Sequence, residues 1–495
     1  MTETVLFALT NDYTHYCLSH SFQKLYDCKM FAISEVTSRP KNFFQNQKLV
    51  NFEKIWFLHD NIKKTSSIPD MEYLQNFEEK YQINLWKLIQ NERIFLYFQN
   101  YYKFSSNEML NILEQECRFF EKILDEIKPK FFFTRMPSLH HQELLYQMCK
   151  NTNVKTIAMN YTLLGTKCML SKEHGTLDDI SELENIKFEH RSFDELQKYL
   201  NSFDLIKQLD QTIIKPGHSN LEKLSSLKEY LLNFDSENTE THYTYYGRTK
   251  TKVLYNYLID FILTKQRKSF IDKTLNRSTN FNYPFIYFPL HAEMERATLI
   301  GAPYHVNQIE IIKNIAKSLP INFKLVVKEH PVQVKRSWRT ESDYNEIMNI
   351  PNVILYHPDF PKDTLYKNCS IVFTIAGTAG FEAACYGKPS ISLVDLNYSL
   401  LPSVFTLNNF ADLNDLIKKL LKLEVHESDV NRFLAIFEKN ISHFDWSGFT
   451  KKLSDEFFSK SIQDTEINED KMKSFLEKNQ NELTSFANEH VKKIT

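Results

Sequence analysis

The chain has 495 residues, 42% apolar and 25% charged, with a net charge near −2, which suits a globular protein of two or more cores and gives no basic field for nucleic acid. Seven scattered cysteines without a C-x-x-C pair read as reduced thiols, which imply neither a disulfide framework nor a zinc site. No apolar run reaches the roughly 18 residues of a membrane span, and Asp12, His15, His20 and Lys24 near the start do not suit a signal peptide, so a cytoplasmic location is expected.

Short apolar runs at 5–9, 29–34, 55–58, 130–134 and 155–159 predict strands. Between them, apolar residues at helical spacing predict helices over 18–26, 72–100, 107–127 and 138–150, with Pro129 closing the third. Strands alternating with helices imply βαβ units and a largely parallel sheet, a Rossmann-like domain over 1–165. Residues 166–280 lose that rhythm and read as a mainly helical connecting region. Its end, 248–277, carries eight Lys/Arg against two Asp, interleaved with Tyr255, Tyr257, Phe261 and Phe270. Two readings stand for this segment: a helix pair with a solvated basic face, or a surface for anionic lipid or a charged glycan.

The alternation resumes over 281–424, with strands at 285–290, 323–327, 352–356, 370–376 and 390–394 and helices at 307–318 and 361–367. Residues 425–495 read as charged C-terminal helices. The expected fold is therefore α/β, with two Rossmann-like domains, a cleft between them at the C-terminal ends of their strands, and additional helical segments.

The chain holds only nine glycines, and Gly377, Gly380 and Gly387 fall within 377–390, between two predicted strands. The stretch reads as strand, glycine turn, helix, glycine stop and strand, a geometry that offers backbone amides to an anion. Gly377, Thr378, Ala379 and Gly380 are the candidate phosphate contacts. Glu382 is either a helix-start carboxylate or an acceptor for a ribose diol. Three further clusters lie at predicted strand ends: His291 with Glu293 and Glu295, Lys328-Glu329-His330-Pro331, and His357-Pro358. Pro331 ends the ladder and holds His330 extended, aimed off the sheet edge toward a departing phosphate oxygen. Lys328 and Glu329 read either as a solvated charge pair or, for Lys328, as part of that anion site. His291 and Glu295 are the preferred acid–base pair for a hydroxyl, while Asn307 and Gln308 read as a cap and a packing residue. In the first domain His15, His20, His140 and His141 follow predicted strands and are candidates for the acceptor side. Walker A, G-x-S-x-G, H-E-x-x-H and EF-hand patterns are absent.

Taken as a spaced set, His291, Glu295, Asn307-Gln308, Lys328 to Pro331, the 377–383 loop and Gly387-Lys388-Pro389 resemble the capsule polysaccharide biosynthesis proteins. That family includes Kdo transferases that start or extend capsule linkers, and surface carbohydrate biosynthesis proteins. The resemblance is carried by residues 284–403 and, more loosely, by 117–170. It implies a GT-B architecture, with the first domain on the acceptor side and a nucleotide sugar bound mainly by the second domain. His330 and Pro331 would act near the donor phosphate, the glycine loop would hold that phosphate, and Glu382 would meet the nucleotide ribose. Met294 departs from the pattern, standing where relatives often carry proline, and the loop after Leu393 lacks a common glycine.

These readings converge on a metal-independent glycosyltransferase that passes a sugar from a CMP- or UDP-linked donor to a growing cell-surface polysaccharide or glycolipid. The nucleotide sugar is a co-substrate, and neither a cofactor nor a metal is expected. The expected partners are the glycan or glycolipid acceptor and, peripherally, the inner membrane face or the polysaccharide export machinery. A sugar-nucleotide epimerase, a CDP-polyol phosphotransferase using His330 and His357, and a non-enzymatic assembly factor are the alternatives.

Overall fold

A computed structural model describes residues 2–203, 242–336, 338–458 and 465–495. Residues 204–241, part of the region expected to be helical, lie outside the described residues. The chain divides into two compact units, one of residues 1–178, 203–253 and 440–495, the other of 179–202 and 254–439.

The first unit is built on six strands: β1 (Thr4–Leu9), β2 (Lys29–Ser34), β3 (Phe52–Phe57), β4 (Phe131–Arg135), β5 (Lys155–Tyr161) and β6 (Cys168–Ser171). Their order is β3-β2-β1-β4-β5-β6; only β6 runs antiparallel to its neighbour. Val5, Phe7, Phe131 and Phe133 are buried on one face and Leu6 and Phe132 on the other, because both sheet faces are covered, which is why these strands are continuously apolar. Helix Ser106–Ile127 opens on a Ser105–Glu108 capping box and ends at Lys128 in left-handed geometry, just ahead of Pro129. The stretch expected as one helix over 72–100 is three short ones, Met71–Tyr81, Leu85–Gln90 and Arg93–Leu96. Gln82 at φ 53 breaks the first, and the side chains of Asn84 and Glu92 cap the next two. The C-terminal helices Trp446–Phe457, Glu469–Lys478 and Gln480–Ile494 supply Phe449, Phe475, Leu483 and Phe486 to the core that also holds Phe7, Phe22 and Phe133.

The second unit carries β7 (Phe285–Pro289), β8 (Lys324–Lys328), β9 (Val353–Tyr356), β10 (Ile371–Thr374), β11 (Ser390–Ser392) and β12 (Val404–Thr406). Its order is β12-β11-β10-β7-β8-β9, with every pair parallel. Numbered within each unit, both sheets follow the doubly wound order 3-2-1-4-5-6, so each is Rossmann-like, as expected. In such a sheet the crossovers leave in opposite directions between the first and fourth strands, opening a crevice at their C-terminal ends. Here those strands are β1 and β4 in the first unit and β7 and β10 in the second. The basic aromatic segment is largely one helix, Lys250–Thr274, on which Tyr255, Tyr257, Leu258, Phe261 and Ile262 are exposed. No helix among the described residues is long and apolar enough to cross a membrane.

Candidate active site

Three of the four sequence clusters meet at the crevice of the second sheet. His291 follows β7, the residues 328–331 follow or end β8, and the glycine loop follows β10. His291 is buried, and its Nε2 accepts from the Ala376 amide at 3.3 Å. Burial, with His330 and Arg339 nearby, lowers its pKa to about 3, so the ring is neutral, with its hydrogen on Nδ1. Gln308, just inside the Asn307 cap, clamps the His291 backbone at both ends, accepting from its amide (2.8 Å) and donating to its carbonyl (3.1 Å). His291 thus stands as a strut under the glycine loop. A Cβ on Gly377 would approach its Nε2 to 2.9 Å.

Glu329 is not part of a solvated pair. It is fully buried and accepts from Arg339 Nε (2.9 Å), the Tyr344 hydroxyl (2.8 Å) and the His330 amide (2.6 Å). Arg339 also donates to the His291 carbonyl at 2.6 Å and pairs with Glu293. One guanidinium therefore ties the end of β7 to the end of β8, in a fork that a planar group with five donors suits. A pair this deep is held by mutual compensation, because losing one partner leaves a bare charge, at about 3–5 kcal/mol. Sequence reading missed Arg339 and Tyr344, since nothing local marks them; they arrive on a different element.

His330 is half-buried, and its Nδ1 accepts from the Val332 amide at 3.2 Å, which places the ring hydrogen of the neutral form on Nε2. Pro331 opens a short 3-10 turn immediately after. Lys328 is only 6% exposed; its carbonyl accepts from the Leu290 amide at 2.9 Å, and its side chain makes no hydrogen bond among the described residues. Burial first, and the neighbouring Lys362 second, pull its pKa down to about 8. Glu382 is engaged on both oxygens, by Lys362 (3.1 Å) and by the Thr378 hydroxyl (2.9 Å).

In the glycine loop the Ala376 amide is taken by His291, and the Gly377 amide donates to Thr374 Oγ1 at 3.2 Å. The amides of Thr378 and Ala379 open helix Ala379–Cys385, where no intrahelical partner exists for them, while the Gly380 amide is engaged by the Tyr398 hydroxyl. Gly380 is required by contact: a Cβ there would meet the Tyr398 ring at 2.7 Å. The Tyr398 hydroxyl in turn bonds the Gly377 carbonyl. Gly387, at φ 66, supplies the left-handed stop after the helix. Glu295 caps helix Arg296–Leu299 through its carbonyl. Met294 before it sits at φ 58, which proline cannot adopt. His357 lies apart, at the end of β9, its Nε2 facing Arg277 (2.6 Å) and Asp272 (3.0 Å).

In the first unit His15 and His20 are pushed down to about 4, chiefly by burial. Glu116, His140 and His141 have metal-ligand spacing. Both nitrogens of His140 are already committed, to Glu92 at 2.8 Å and to Glu116 at 2.9 Å, which leaves no lone pair for an ion.

Residues 190–401 match the family model described as capsule polysaccharide biosynthesis protein, so the resemblance read from the spaced motifs holds over that stretch. No curated protein matches the chain. Among solved structures, it is similar to KpsC of Thermosulfurimonas dismutans, a beta Kdo 2,7 transferase, at 12% identity over 71% of this chain and 87% of that one, TM-score 0.30. It is also similar to the UDP-GlcNAc 2-epimerase of Methanocaldococcus jannaschii in complex with UDP-GlcNAc and UDP, at 12% identity over 88% and 99%, TM-score 0.26. A third is the wall teichoic acid polymerase TagF, at 11% identity over 88% and 82%, TM-score 0.22. The fold assignment rests on the strand order itself.

Proposed function

We infer that this chain, similar across its second sheet to capsule polysaccharide biosynthesis proteins, is a glycosyltransferase. It transfers a sugar from a CMP- or UDP-linked donor to a growing cell-surface polysaccharide or glycolipid. The observation that carries this reading is Lys328, a residue only 6% exposed whose side chain makes no hydrogen bond among the described residues, at the same sheet edge as the His330 ring and the amides opening at Thr378. Glu329, Asp359 and Glu382 compensate this cation only through space, without a hydrogen bond, so an anion bound beside it is favoured, and the crevice of a doubly wound sheet is where a nucleotide phosphate binds.

In this mechanism the bond between the anomeric carbon and the phosphate oxygen breaks, and its electron pair leaves on that oxygen. Lys328 and the amides of Thr378 and Ala379 neutralise the developing charge, while His330 donates from Nε2. These groups supply the neutralisation without a metal. Glu295 is assigned to the oxocarbenium-like carbon, His291 holds the loop, and Glu382 keeps Thr378 and Lys362 in place beside it. The test is a panel of CMP-, UDP-, GDP- and CDP-linked donors, read by thermal shift and by donor loss with and without acceptor glycans. One CMP- or UDP-sugar is expected to stabilise the protein and to be consumed only with an acceptor, and His330→Ala to lower turnover roughly 100-fold. Epimerisation of a donor without acceptor overturns the reading in favour of an epimerase. Stabilisation by CDP-glycerol or CDP-ribitol alone overturns it in favour of polyol-phosphate transfer.

A further inference from the structure

The helix Lys250–Thr274 is docked along one side of its second half. Ile271, and Leu275 just past its end, are buried in the core of the second sheet. The Phe270 ring lies nearly parallel to that of Tyr344 at 6.3 Å, and Arg267 Nη1 donates to the Trp338 carbonyl at 3.3 Å. The first half turns large apolar side chains to solvent: Tyr255, Tyr257, Leu258, Phe261 and Ile262 are each between 48 and 65% exposed. At about 100° per residue the five fall within an arc of about 160°, so they form one face. The other exposed large apolar residues among those described, such as Trp86, Tyr161 and Tyr304, are spread along the chain. Scattered single residues are ordinary on a protein surface, whereas five on one face of two helical turns make a patch.

The same arc becomes basic toward the C-terminal end of the helix. Lys265, Lys268 and Lys273 follow on it, all exposed, against one acid, Asp272, which pairs with Lys268 at 2.5 Å. Lys265 Nζ lies over the Phe261 ring, 4.2 Å from its centroid, and joins the two halves of the face. Asp260, the other acid of the helix, falls outside the arc. Solvation of a basic face does not account for this arrangement, because the side chains most exposed in the first half are apolar. A charged glycan suits it poorly as well. Saccharides are held by hydrogen-bonding groups in a concave site, whereas Leu258, Phe261 and Ile262 stand on a convex helix and carry neither donor nor acceptor. An anionic bilayer matches both halves. Hydrocarbon takes the apolar residues, headgroup phosphates take the lysines, and the two tyrosines set an apolar ring and a polar tip at the boundary.

We propose that this face is a membrane-docking surface for a bilayer rich in anionic phospholipid. The helix lies along the bilayer interface, with Leu258, Phe261 and Ile262 inserted and Lys265, Lys268 and Lys273 at the headgroups. Docking needs neither a sugar donor nor an acceptor, so it stands independently of the glycosyl-transfer reading.

The experiment sediments the full chain with vesicles of phosphatidylcholine alone or of an equimolar phosphatidylcholine and phosphatidylglycerol mixture, at low and high salt. Wild type is expected to bind the mixed vesicles roughly tenfold or more better than the neutral ones, with affinity falling as salt rises. The double variant Leu258→Ser, Ile262→Ser is expected to lower the partition coefficient roughly tenfold at every salt concentration. The double variant Lys265→Glu, Lys273→Glu is expected to lower it roughly tenfold or more on the mixed vesicles and to remove most of the salt dependence. All four positions are exposed, so an unchanged melting temperature reports an intact fold in each variant. Failure of wild type to sediment with the mixed vesicles overturns the proposal, as does equal binding by the Leu258→Ser, Ile262→Ser protein. A dimer in sedimentation velocity that this variant dissociates overturns it in favour of a second copy of the chain. Retention on heparin that the lysine substitutions abolish, with the mixed vesicles left unbound, overturns it in favour of a charged glycan.

Discussion

A lysine can be recognised in a motif, but whether its charge is solvated depends on what surrounds it. Lys328 ends β8, buried, with Lys362 and the carboxylates of Asp359, Glu329 and Glu382 near it. Its folded pKa, about 8, is below the ordinary 10.5, so the ammonium is present below about pH 8 and lost as the pH rises through that value. The unfolded chain binds more protons than the folded one between those two values, so stability rises with pH there, whereas donor binding, which needs the ammonium, falls. Titration calorimetry is expected to show donor affinity weakening about 30-fold from pH 7 to 9.5, while Lys328→Met binds weakly and without that dependence. A Lys328→Met protein whose affinity equals wild type at pH 7 would remove Lys328 from the anion site. His330 and its proline were legible because one local pattern determines their backbone. Glu329 was misread because its partners, Arg339 and Tyr344, come from elsewhere in the chain.

At the level of elements, the glycine-rich turn was legible as strand, turn, helix and stop, since glycine is needed where a side chain has no room or φ is positive. The structure adds which contact each glycine relieves. Gly380→Ala drives a methyl against the Tyr398 ring and Ser390 Oγ, at 2.7 and 3.0 Å. Chemical denaturation is expected to show a loss of about 1–3 kcal/mol, with donor affinity falling as the loop shifts. An unchanged midpoint would mean that the ring moves aside freely. The amides of Ala376 and Gly377, which the turn alone offers to an anion, are spent on His291 and Thr374, so the accessible donors begin at Thr378. The stretch over 72–100 shows the converse: its apolar spacing is helical throughout, yet side-chain caps at Asn84 and Glu92 divide it. Caps compete with helix continuation by about 1 kcal/mol each, too small a term for periodicity to reveal.

At the scale of the whole molecule, the last segment of the chain belongs to the unit with which the chain begins. Residues 440–495 return to the first unit, where Phe444, Phe449, Phe475, Leu483 and Phe486 are buried in the core around β1 and β4. Each such aromatic removed from a core costs about 3–5 kcal/mol, more in sum than the margin of a typical domain. A chain ending at residue 439 is therefore expected to lose cooperative unfolding of the first unit and become sensitive to limited proteolysis there, while the second unit stays protected. Retention of a single protected first unit would show that its core closes without these helices. The amino-acid sequence by itself determined the two α/β units, the strand ends that carry His291, Lys328 and His330, and the glycine turn, because periodicity, proline and glycine act on neighbouring residues. Only the tertiary structure decided that Arg339 joins two strand ends through a buried carboxylate, that His140 is a cation between two glutamates, and that Glu35 lies 3.2 Å from His141. Those properties depend on burial and on partners distant in the chain, and local sequence encodes neither.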